Sequence, residues 1–336
     1  MPPTISIVIV NYRSARDTIQ CVDALRACTE VEIDLIVVDN ASGGDDRAVL
    51  ETRPDIPVRW EEVNAGYGTG CNLGAGVTQG RYLLFVNPDI RVSPPDALRE
   101  LIDVADAYPE LGALTCRVEF PDGRPQPSAH TALPGLWSHT LEFAPAAMLL
   151  LGQLRPGYWP SHFSAERQLA GVQRARHLLG AFLLVPRAAF DAVGGFDEAF
   201  FLYREETDLC VRLAERGLAI LYTPSPLILH ESGASTENRD WASLDARYME
   251  STYRYFALQH GSAYARLAWT LAVLGLCASL PPLLIVDALR ALQRRDRRNL
   301  RWLIEHVRSA LRWHLAYMRT VGHPSSRRLV SRIARS

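Results

Sequence analysis

The sequence predicts an α/β fold, and three observations carry that prediction. Short β-branched runs recur through the first 230 residues, helical stretches separate them, and polar residues follow the end of run after run. Strands alternating with helices argue for a parallel sheet. In such sheets ligands bind outside the carboxyl ends of the strands.

The first run, 5–10, is too short for a helix and apolar on both faces. A helical stretch from Ala15 to Ala27 follows it, and the run 33–38 closes in Asp39-Asn40. Residues 58–63 form a weaker strand, and 82–86 end in Asn87-Pro88-Asp89. Residues 96–107 read as a helix and 112–120 as a strand. Between 121 and 177, prolines and aromatics surround the apolar 146–151, which predicts an irregular insertion. Residues 177–186 read as one more apolar strand, 205–208 as an acidic helix start, and 219–230 as a last strand ending at His230. The expected organisation is one domain over 1–240, with the insertion as a candidate acceptor side, and a helical region over 241–336.

The chain has 336 residues, 36 basic and 37 acidic, and every basic residue is arginine. Residues 287–336 hold 13 of those arginines against only Asp287, Asp296 and Glu305, so the remainder is acidic. That pattern excludes a uniformly basic nucleic-acid binder and leaves room for a catalytic body with a basic tail. The six cysteines show no CxxC pair, so they read as reduced thiols in a cytosolic setting. Met1-Pro2-Pro3-Thr4 lacks a basic n-region and a cleavage site, so no signal peptide is expected.

Residues 267–286 run for 20 positions without a charge, about the length that crosses a bilayer. Pro281-Pro282 should interrupt the run, leaving roughly 14 clean residues, which suits a re-entrant or interfacial helix. Arg247, Arg254 and Arg266 precede it, and Arg290, Arg294, Arg295, Arg297 and Arg298 follow it. Positive charge favours the cytoplasmic side, and a single span cannot keep both ends there. Leu300, Ile304, Val307, Leu311, Leu315 and Met318 then repeat at helical spacing, with Arg301, Arg308, Arg312 and Arg319 on another face. Over 287–320 this reads as a basic amphipathic helix for anionic lipid, or as a core-packed helix with a solvated arginine face. The expected location is the cytoplasmic face of the plasma membrane, with a peripheral, re-entrant or single hydrophobic segment.

Chemistry-bearing residues cluster where the strands end. A hard divalent ion on a diphosphate needs only one or two protein carboxylates, and Asp89 supplies one; Asn-Pro-Asp is equally good turn chemistry. Asp39, with Asn40, can accept from a base N–H or a ribose hydroxyl across from Asn11, while Tyr12 offers a stacking face; the same residues also suit a helix cap. The stretch from Asn64 to Asn72 is glycine-rich, but Cys71 stands where a dinucleotide fingerprint needs glycine. It therefore reads as an approach to a sugar or phosphate, or as a plain loop, and argues against a nicotinamide site. Glu205, Glu206 and Asp208 fall in one helical turn, where they suit the helix dipole or supply a general base. Helical spacing puts Glu205 and Asp208 on one face and Glu206 on another. His230 is a further metal-ligand candidate or a structural histidine.

In this order the motifs resemble the inverting nucleotide-sugar glycosyltransferases of family 2, and within them the bacterial rhamnosyltransferase-like branch. The stretches that carry the likeness are Ser6-Ile7-Val8-Ile9-Val10-Asn11-Tyr12, Val37-Val38-Asp39-Asn40-Ala41-Ser42 and Asn64-Ala65-Gly66-Tyr67. Asn72, Leu84-Phe85-Val86-Asn87-Pro88-Asp89, Gly180-Ala181-Phe182, Gly194-Gly195-Phe196-Asp197, the stretch 200–210 and His230 complete it. The resemblance implies a GT-A fold over roughly 4–235, with Asn11, Tyr12, Asp39, Asn40, Gly66, Asn72 and Asn87 around the nucleotide. It implies Asp89 and His230 as ligands of Mg2+ or Mn2+, with Asn87 in place of the first acid of the family's DxD motif. The family's base is the Asp of a Glu-Asp pair. Here the slot is Glu206, one methylene longer, with Asp208 as its rival and Arg204 where glycine is usual.

The resulting expectation is an inverting transferase that moves a sugar from a nucleotide-sugar donor, dTDP-rhamnose ahead of UDP-linked hexoses, to a hydroxyl of a lipid-linked or other glycan acceptor in cell-wall or surface polysaccharide synthesis. Its expected partners include a membrane surface and no nucleic acid. Arg204 and Glu206 leave open a nucleotide-binding scaffold without turnover.

Overall fold

The computed structural model describes residues 4–28, 30–92, 95–143, 171–231, 241–293 and 298–318. They form two compact units: one from the chain up to Leu133 with 171–231, the other from 134–143 with the described residues after 240.

The first unit is built on strands β1 (Ile5–Asn11), β2 (Ile33–Asn40), β3 (Val58–Glu61), β4 (Tyr82–Val86), β5 (Ile90–Val92) and β6 (Leu111–Glu119). The short β7 (Pro125–Gln126), β8 (Ala129–His130), β9 (Gln173–Arg174) and β10 (His177–Leu178) follow, then β11 (Phe182–Pro186) and β12 (Ala219–His230). The main sheet runs in the order β3-β2-β1-β4-β11-β6-β12-β5. β1 is buried along its whole length, as a strand with Ile and Val on both faces between two helical layers requires. Its helices are α1 (Ala15–Arg26), α2 (Gly44–Glu51), α3 (Tyr67–Ala75), α4 (Ala97–Asp106), and beyond them α6 (Arg187–Ala192) and α7 (Glu205–Glu215).

The expected parallel sheet is mixed. β1 to β4 are parallel, but β11 runs antiparallel to β4 and β6, and β5 antiparallel to β12. The cause lies at Ala181, whose carbonyl accepts the Asn87 N–H at 2.9 Å. The chain enters β11 beside the carboxyl end of β4 without a helical crossover, so it can only run back. The apolar stretch 177–186 breaks in two for the same reason: β10 pairs with β8, and β11 begins after Gly180-Ala181.

The glycine-rich stretch is mostly helix rather than a plain loop. Gly70 and Gly74 lie against β1, where a Cβ on Gly74 would fall 2.3 Å from the Val8 Cγ1. These glycines let α3 close onto the strand.

The second unit holds α5 (Leu136–Glu142), α8 (Trp241–His260), α9 (Ser262–Leu292) and α10 (Arg298–Met318). The stretch 121–177 is therefore divided, because α5 packs with the C-terminal helices. Its buried His139 is hydrogen-bonded through Nε2 to the Tyr253 hydroxyl at 3.1 Å, and that hydroxyl meets His314 Nε2 at 2.7 Å. The apolar 146–151, Arg294, Arg295, Arg297 and Arg319 lie outside the described residues.

One expectation about this region is corrected. Pro281 and Pro282 do not interrupt α9, which continues for 31 residues, about 46 Å. The carbonyls that lose their donors belong to Cys277 and Ala278, both at exposed positions, so they need no partner inside the helix. For α10 the core-packed reading accounts for Ile304, Val307, Ala310 and His314, which are buried where α10 packs on α9 and α8, while Leu315 and Arg301, Arg308 and Arg312 are exposed. Among the described residues, α9 is the one helix long and apolar enough to cross a membrane. Its stripe Ala268, Ala272, Leu276, Ser279 and Leu283 is buried, and Leu267, Leu274, Ile285, Leu289 and Leu292 are exposed. No disulfide links the six cysteines; five are buried and Cys277 is exposed.

Candidate active site

The residues singled out from the sequence gather in the first unit around the carboxyl ends of β1, β2, β4 and β12. At the end of β1 the Asn11 amide donates to Asp39 Oδ2 at 2.6 Å, to Asp46 Oδ2 at 2.7 Å and to Ser42 Oγ at 3.0 Å. Its carbonyl oxygen accepts from the Thr18 and Ser14 hydroxyls. Asn11 is wholly buried, so its polar capacity is used inside the protein, where it aims the Asp39 carboxylate. Asp39 also accepts the Ser42 N–H on Oδ1 at 3.1 Å. A carboxylate has about four acceptor positions, so lone pairs remain for a ligand. Tyr12 is half-buried, with the Arg13 guanidinium over its ring at 5.2 Å.

Asn40, Gly66 and Asn72 hold the rim together. Asn40 donates to the Gly66 carbonyl at 3.0 Å and accepts the Ala65 N–H at 3.1 Å. Gly66 adopts φ +102°, and a Cβ there would fall 2.4 Å from the Phe201 carbonyl oxygen, so only glycine fits. Asn72 clamps the Phe196 backbone from both sides, donating to its carbonyl and accepting its N–H at 2.9 Å each. These amides set the positions of loops, and their hydrogen bonds are spent on the chain itself.

The turn after β4 meets the end of β12. Asp89 is 2% exposed and His230 7%. His230 Nε2 lies 3.2 Å from Asp89 Oδ1, and its Nδ1 lies 2.7 Å from Gln126 Oε1. With the Gln126 amide oxygen facing the ring, Nδ1 is assigned the proton, and Nε2 meets the carboxylate either as the second N–H of an imidazolium or, in the neutral ring, as a lone pair. Two acceptors in contact require a cation between or beside them, either a proton or a metal ion. Two cis ligands at about 2.1–2.2 Å from an octahedral ion are themselves about 3 Å apart, so the pair fits a divalent ion. Among the described residues no third His, Cys, Asp or Glu joins them, which leaves further positions to diphosphate oxygens and water. Arg91 braces the turn through the Pro88 and Ile90 carbonyls and through Asp17 and Glu231. Asn87 is half-buried beside it.

The acidic turn of α7 separates into distinct environments. Glu205 is 3% exposed, and its Oε2 has no hydrogen-bond partner. Burial, and next the Glu206 charge, push its carboxyl well above the ordinary range. Glu206 is half-buried, accepts the Thr207 hydroxyl at 2.9 Å, and passes beside Gly180. Burial raises its pKa and the Arg204 charge works against that rise. Asp208 is buried and ion-paired to Arg212 Nε at 2.7 Å. Arg204 sits in the left-handed region at φ 70°, which is the conformation a glycine takes without cost.

A family model described as glycosyl transferase family 2 matches residues 6–194, more than half of the chain. The chain belongs to glycosyl transferase family 2. A second model, glycosyl transferase family group 2, matches residues 161–321. An N-acetylglucosaminyl-diphospho-decaprenol L-rhamnosyltransferase of Mycobacterium tuberculosis is 31% identical over 309 residues, covering 88% of this chain and 97% of the relative. The O-antigen biosynthesis protein RfbC of Myxococcus xanthus is 28% identical over 270 residues, which is 78% of this chain and 20% of that protein. The mannosyltransferase PcManGT from Pyrobaculum calidifontis, solved with GDP-Man and Mn2+, superposes with a TM-score of 0.54 at 16% identity, over 94% of this chain and 87% of that one. GalNAc-T7, solved with UDP, GalNAc and Mn2+, gives 0.52 at 14% identity over 96% and 58%. The structural likeness establishes the GT-A fold. This family 2 member is a glycosyltransferase, and the scaffold reading falls away.

Four residues of this family 2 site were given no role from the sequence, although Ser42 and Tyr67 stand inside quoted motifs. Asp46 and Ser42 join the Asn11 network, Tyr67 donates its hydroxyl to the Gly180 carbonyl at 3.1 Å, and Gln126 meets His230. A lone Gln before a proline-rich insertion offers nothing to read.

Proposed function

We propose that this family 2 enzyme is an inverting rhamnosyltransferase that moves L-rhamnose from dTDP-rhamnose to a hydroxyl of a lipid-linked glycan. The observation that carries the reading is the place of Glu206: beside Gly180, whose neighbour Ala181 accepts the Asn87 N–H of the turn bearing Asp89. A base and a diphosphate-binding carboxylate are thus held on one short segment.

Glu206, ionised, takes the proton of the acceptor hydroxyl as that oxygen forms its bond to the anomeric carbon. The bond from that carbon to the donor diphosphate breaks on the opposite face, and the nucleoside diphosphate leaves with its electron pair. Asp39, aimed by Asn11, receives the nucleoside beside the Tyr12 ring. Asn40, Gly66 and Asn72 keep the rim in place, with Asn87 flanking the diphosphate. Asp89 and His230 would hold a divalent ion, Mn2+ or Mg2+, which would supply neutralisation of the charge on the departing diphosphate. Asp208, engaged by Arg212, serves the fold of α7 rather than the proton transfer.

The named activity of the Mycobacterium tuberculosis relative supports the sugar and the diphospho-polyprenol type of acceptor. The exposed apolar stripe of α9 supports a membrane partner, which this reading takes at the cytoplasmic face. α9 lies in the plane of the interface on this reading, because its buried stripe packs on α8 and α10, which carry Arg254, Arg308 and Arg312. Drawing α9 across hydrocarbon would draw those charges with it.

The test is transfer by the purified full chain with Mn2+, an N-acetylglucosaminyl-diphospho-polyprenol acceptor, and dTDP-rhamnose or UDP-hexoses as donors. Rhamnose incorporation with inverted anomeric configuration is expected. Preferential use of a UDP-hexose overturns the donor assignment.

A further inference from the structure

We infer that Gln126 is a positioning residue for the metal centre, fixing the tautomer of His230 so that Nε2 faces the ion held with Asp89. The inference rests on the reading of Asp89 and His230 as metal ligands and adds a residue that neither motif nor family pattern points to.

Gln126 is held where it can do this. β7 pairs antiparallel with β6, with Gln126 opposite Val118 and Pro125 opposite Glu119. The connecting turn is closed by the Phe120 N–H on the Arg124 carbonyl and the Gly123 N–H on the Phe120 carbonyl, both 2.9 Å. Arg124 lies over the Phe120 ring at 5.5 Å and pairs with Asp122 at 2.7 Å, so the turn is fastened at its tip as well. β12 runs parallel to the same end of β6, with Leu229 opposite Glu119. Gln126 and His230 therefore come from two strands that share β6, and their side chains meet at 2.7 Å.

The chemistry follows from the atoms. With Nδ1–H donating to Gln126 Oε1, the imidazole cannot offer Nδ1 to a metal, and Nε2 is left as a lone pair beside Asp89 Oδ1. Without an acceptor at position 126, the neutral ring is free to place its proton on Nε2 and donate it to Asp89 Oδ1, which removes Nε2 as a ligand and engages one oxygen of the carboxylate. A neutral amide orients the ring without adding charge; a carboxylate in its place would orient it equally and raise ligand basicity.

The experiment measures affinity for Mn2+ alone, by water-proton relaxation, on the full chain and on Gln126→Leu, Gln126→Glu and Asp89→Ala, with thermal melts in chelator to verify folding. Loss of an orienting partner of a metal histidine typically costs about 10–100-fold in affinity, and a loss of that size is expected for Gln126→Leu. Gln126→Glu should bind at least as tightly as the parent chain. Equal affinity in the parent and Gln126→Leu, with loss in Asp89→Ala, overturns the role of Gln126 alone. Equal weakening in Gln126→Leu and Gln126→Glu assigns it to packing and also overturns it. If Asp89→Ala binds as the parent does, or the parent does not bind, the metal reading itself fails and takes this inference with it.

Discussion

Glu206 lies against Gly180: a Cβ built at Gly180 would sit 3.4 Å from the Glu206 Cβ and 3.5 Å from its Cγ. One residue on, Ala181 holds the Asn87 N–H. The helix start that carries Glu206, the proposed base, and the turn that carries Asp89 thereby meet the same two residues. The Tyr67 hydroxyl, donating to the Gly180 carbonyl, fastens that segment from the α3 side.

Burial governs where Glu206 ionises, and the Arg204 charge moderates it. Burial raises the Glu206 pKa above its ordinary 4.5 and Arg204 opposes the rise. A general base acts when ionised, so turnover climbs with pH through that pKa. Arg204→Gly removes the opposing charge and should move the acid limb of kcat/KM to higher pH. The backbone responds in the other direction, because glycine relieves left-handed strain at φ 70° worth about 1 kcal/mol. Melting curves and pH–rate profiles should show a higher Tm together with the shifted limb. An unmoved limb separates Arg204 from the base.

Asp208 answers to Arg212. Asp208→Ala breaks a pair whose acid side chain is 5% exposed and whose guanidinium is 25% exposed. About 2–3 kcal/mol of stability should be lost, discounted from a fully buried pair because Arg212 reaches solvent. Turnover per folded molecule should stay within about tenfold of the parent, well short of the loss expected for a base. Collapse of turnover in folded Asp208→Ala would place that carboxylate in the proton transfer.

The strands, the main helices and the carboxyl-edge location of the site were legible because β-branched runs and strand-end polar residues each carry a local signal. The direction of β11 was not, since it depends on the Ala181–Asn87 hydrogen bond, formed between segments distant in sequence. The inward use of the Asn11, Asn40 and Asn72 amides was equally hidden, because an Asn that holds a loop and one that holds a ligand read alike. In the second unit, His139 ties part of an apparent insertion to α8, and α10 buries Ile304, Val307 and Ala310 against its neighbours. Amphipathicity reveals that a helix has a face to bury and leaves its partner open.

Gly74→Ala tests the closeness of α3 and β1. Its Cβ would meet Val8 Cγ1 at 2.3 Å, and Val8 is wholly buried with nowhere to move. Overpacking of this kind should cost about 1–3 kcal/mol, seen as a lower Tm. An unchanged Tm would show that the helix backs away freely.

The second unit should weaken in acid. Burial lowers His314 to about 4 from an ordinary 6.5, so between those values the unfolded chain binds a proton that the folded unit refuses. Stability therefore falls as pH drops through that window, by about 3 kcal/mol when the fall is complete. Melts followed by tryptophan fluorescence at pH 7 and pH 5 should show the loss, and His314→Phe should flatten it. A slope that persists in His314→Phe assigns the effect to another group.

The most direct measurement is single-turnover transfer by Glu206→Gln and Glu206→Asp beside the parent chain, with donor binding measured in parallel. Glu206→Gln keeps the shape and loses the base, so the rate should fall by about 100–10,000-fold while nucleotide binding is retained. Glu206→Asp restores the Glu-Asp pair usual in the family and should keep turnover within about tenfold of the parent. A Glu206→Gln enzyme that transfers sugar at the parent rate would contradict the assignment of Glu206 as the base.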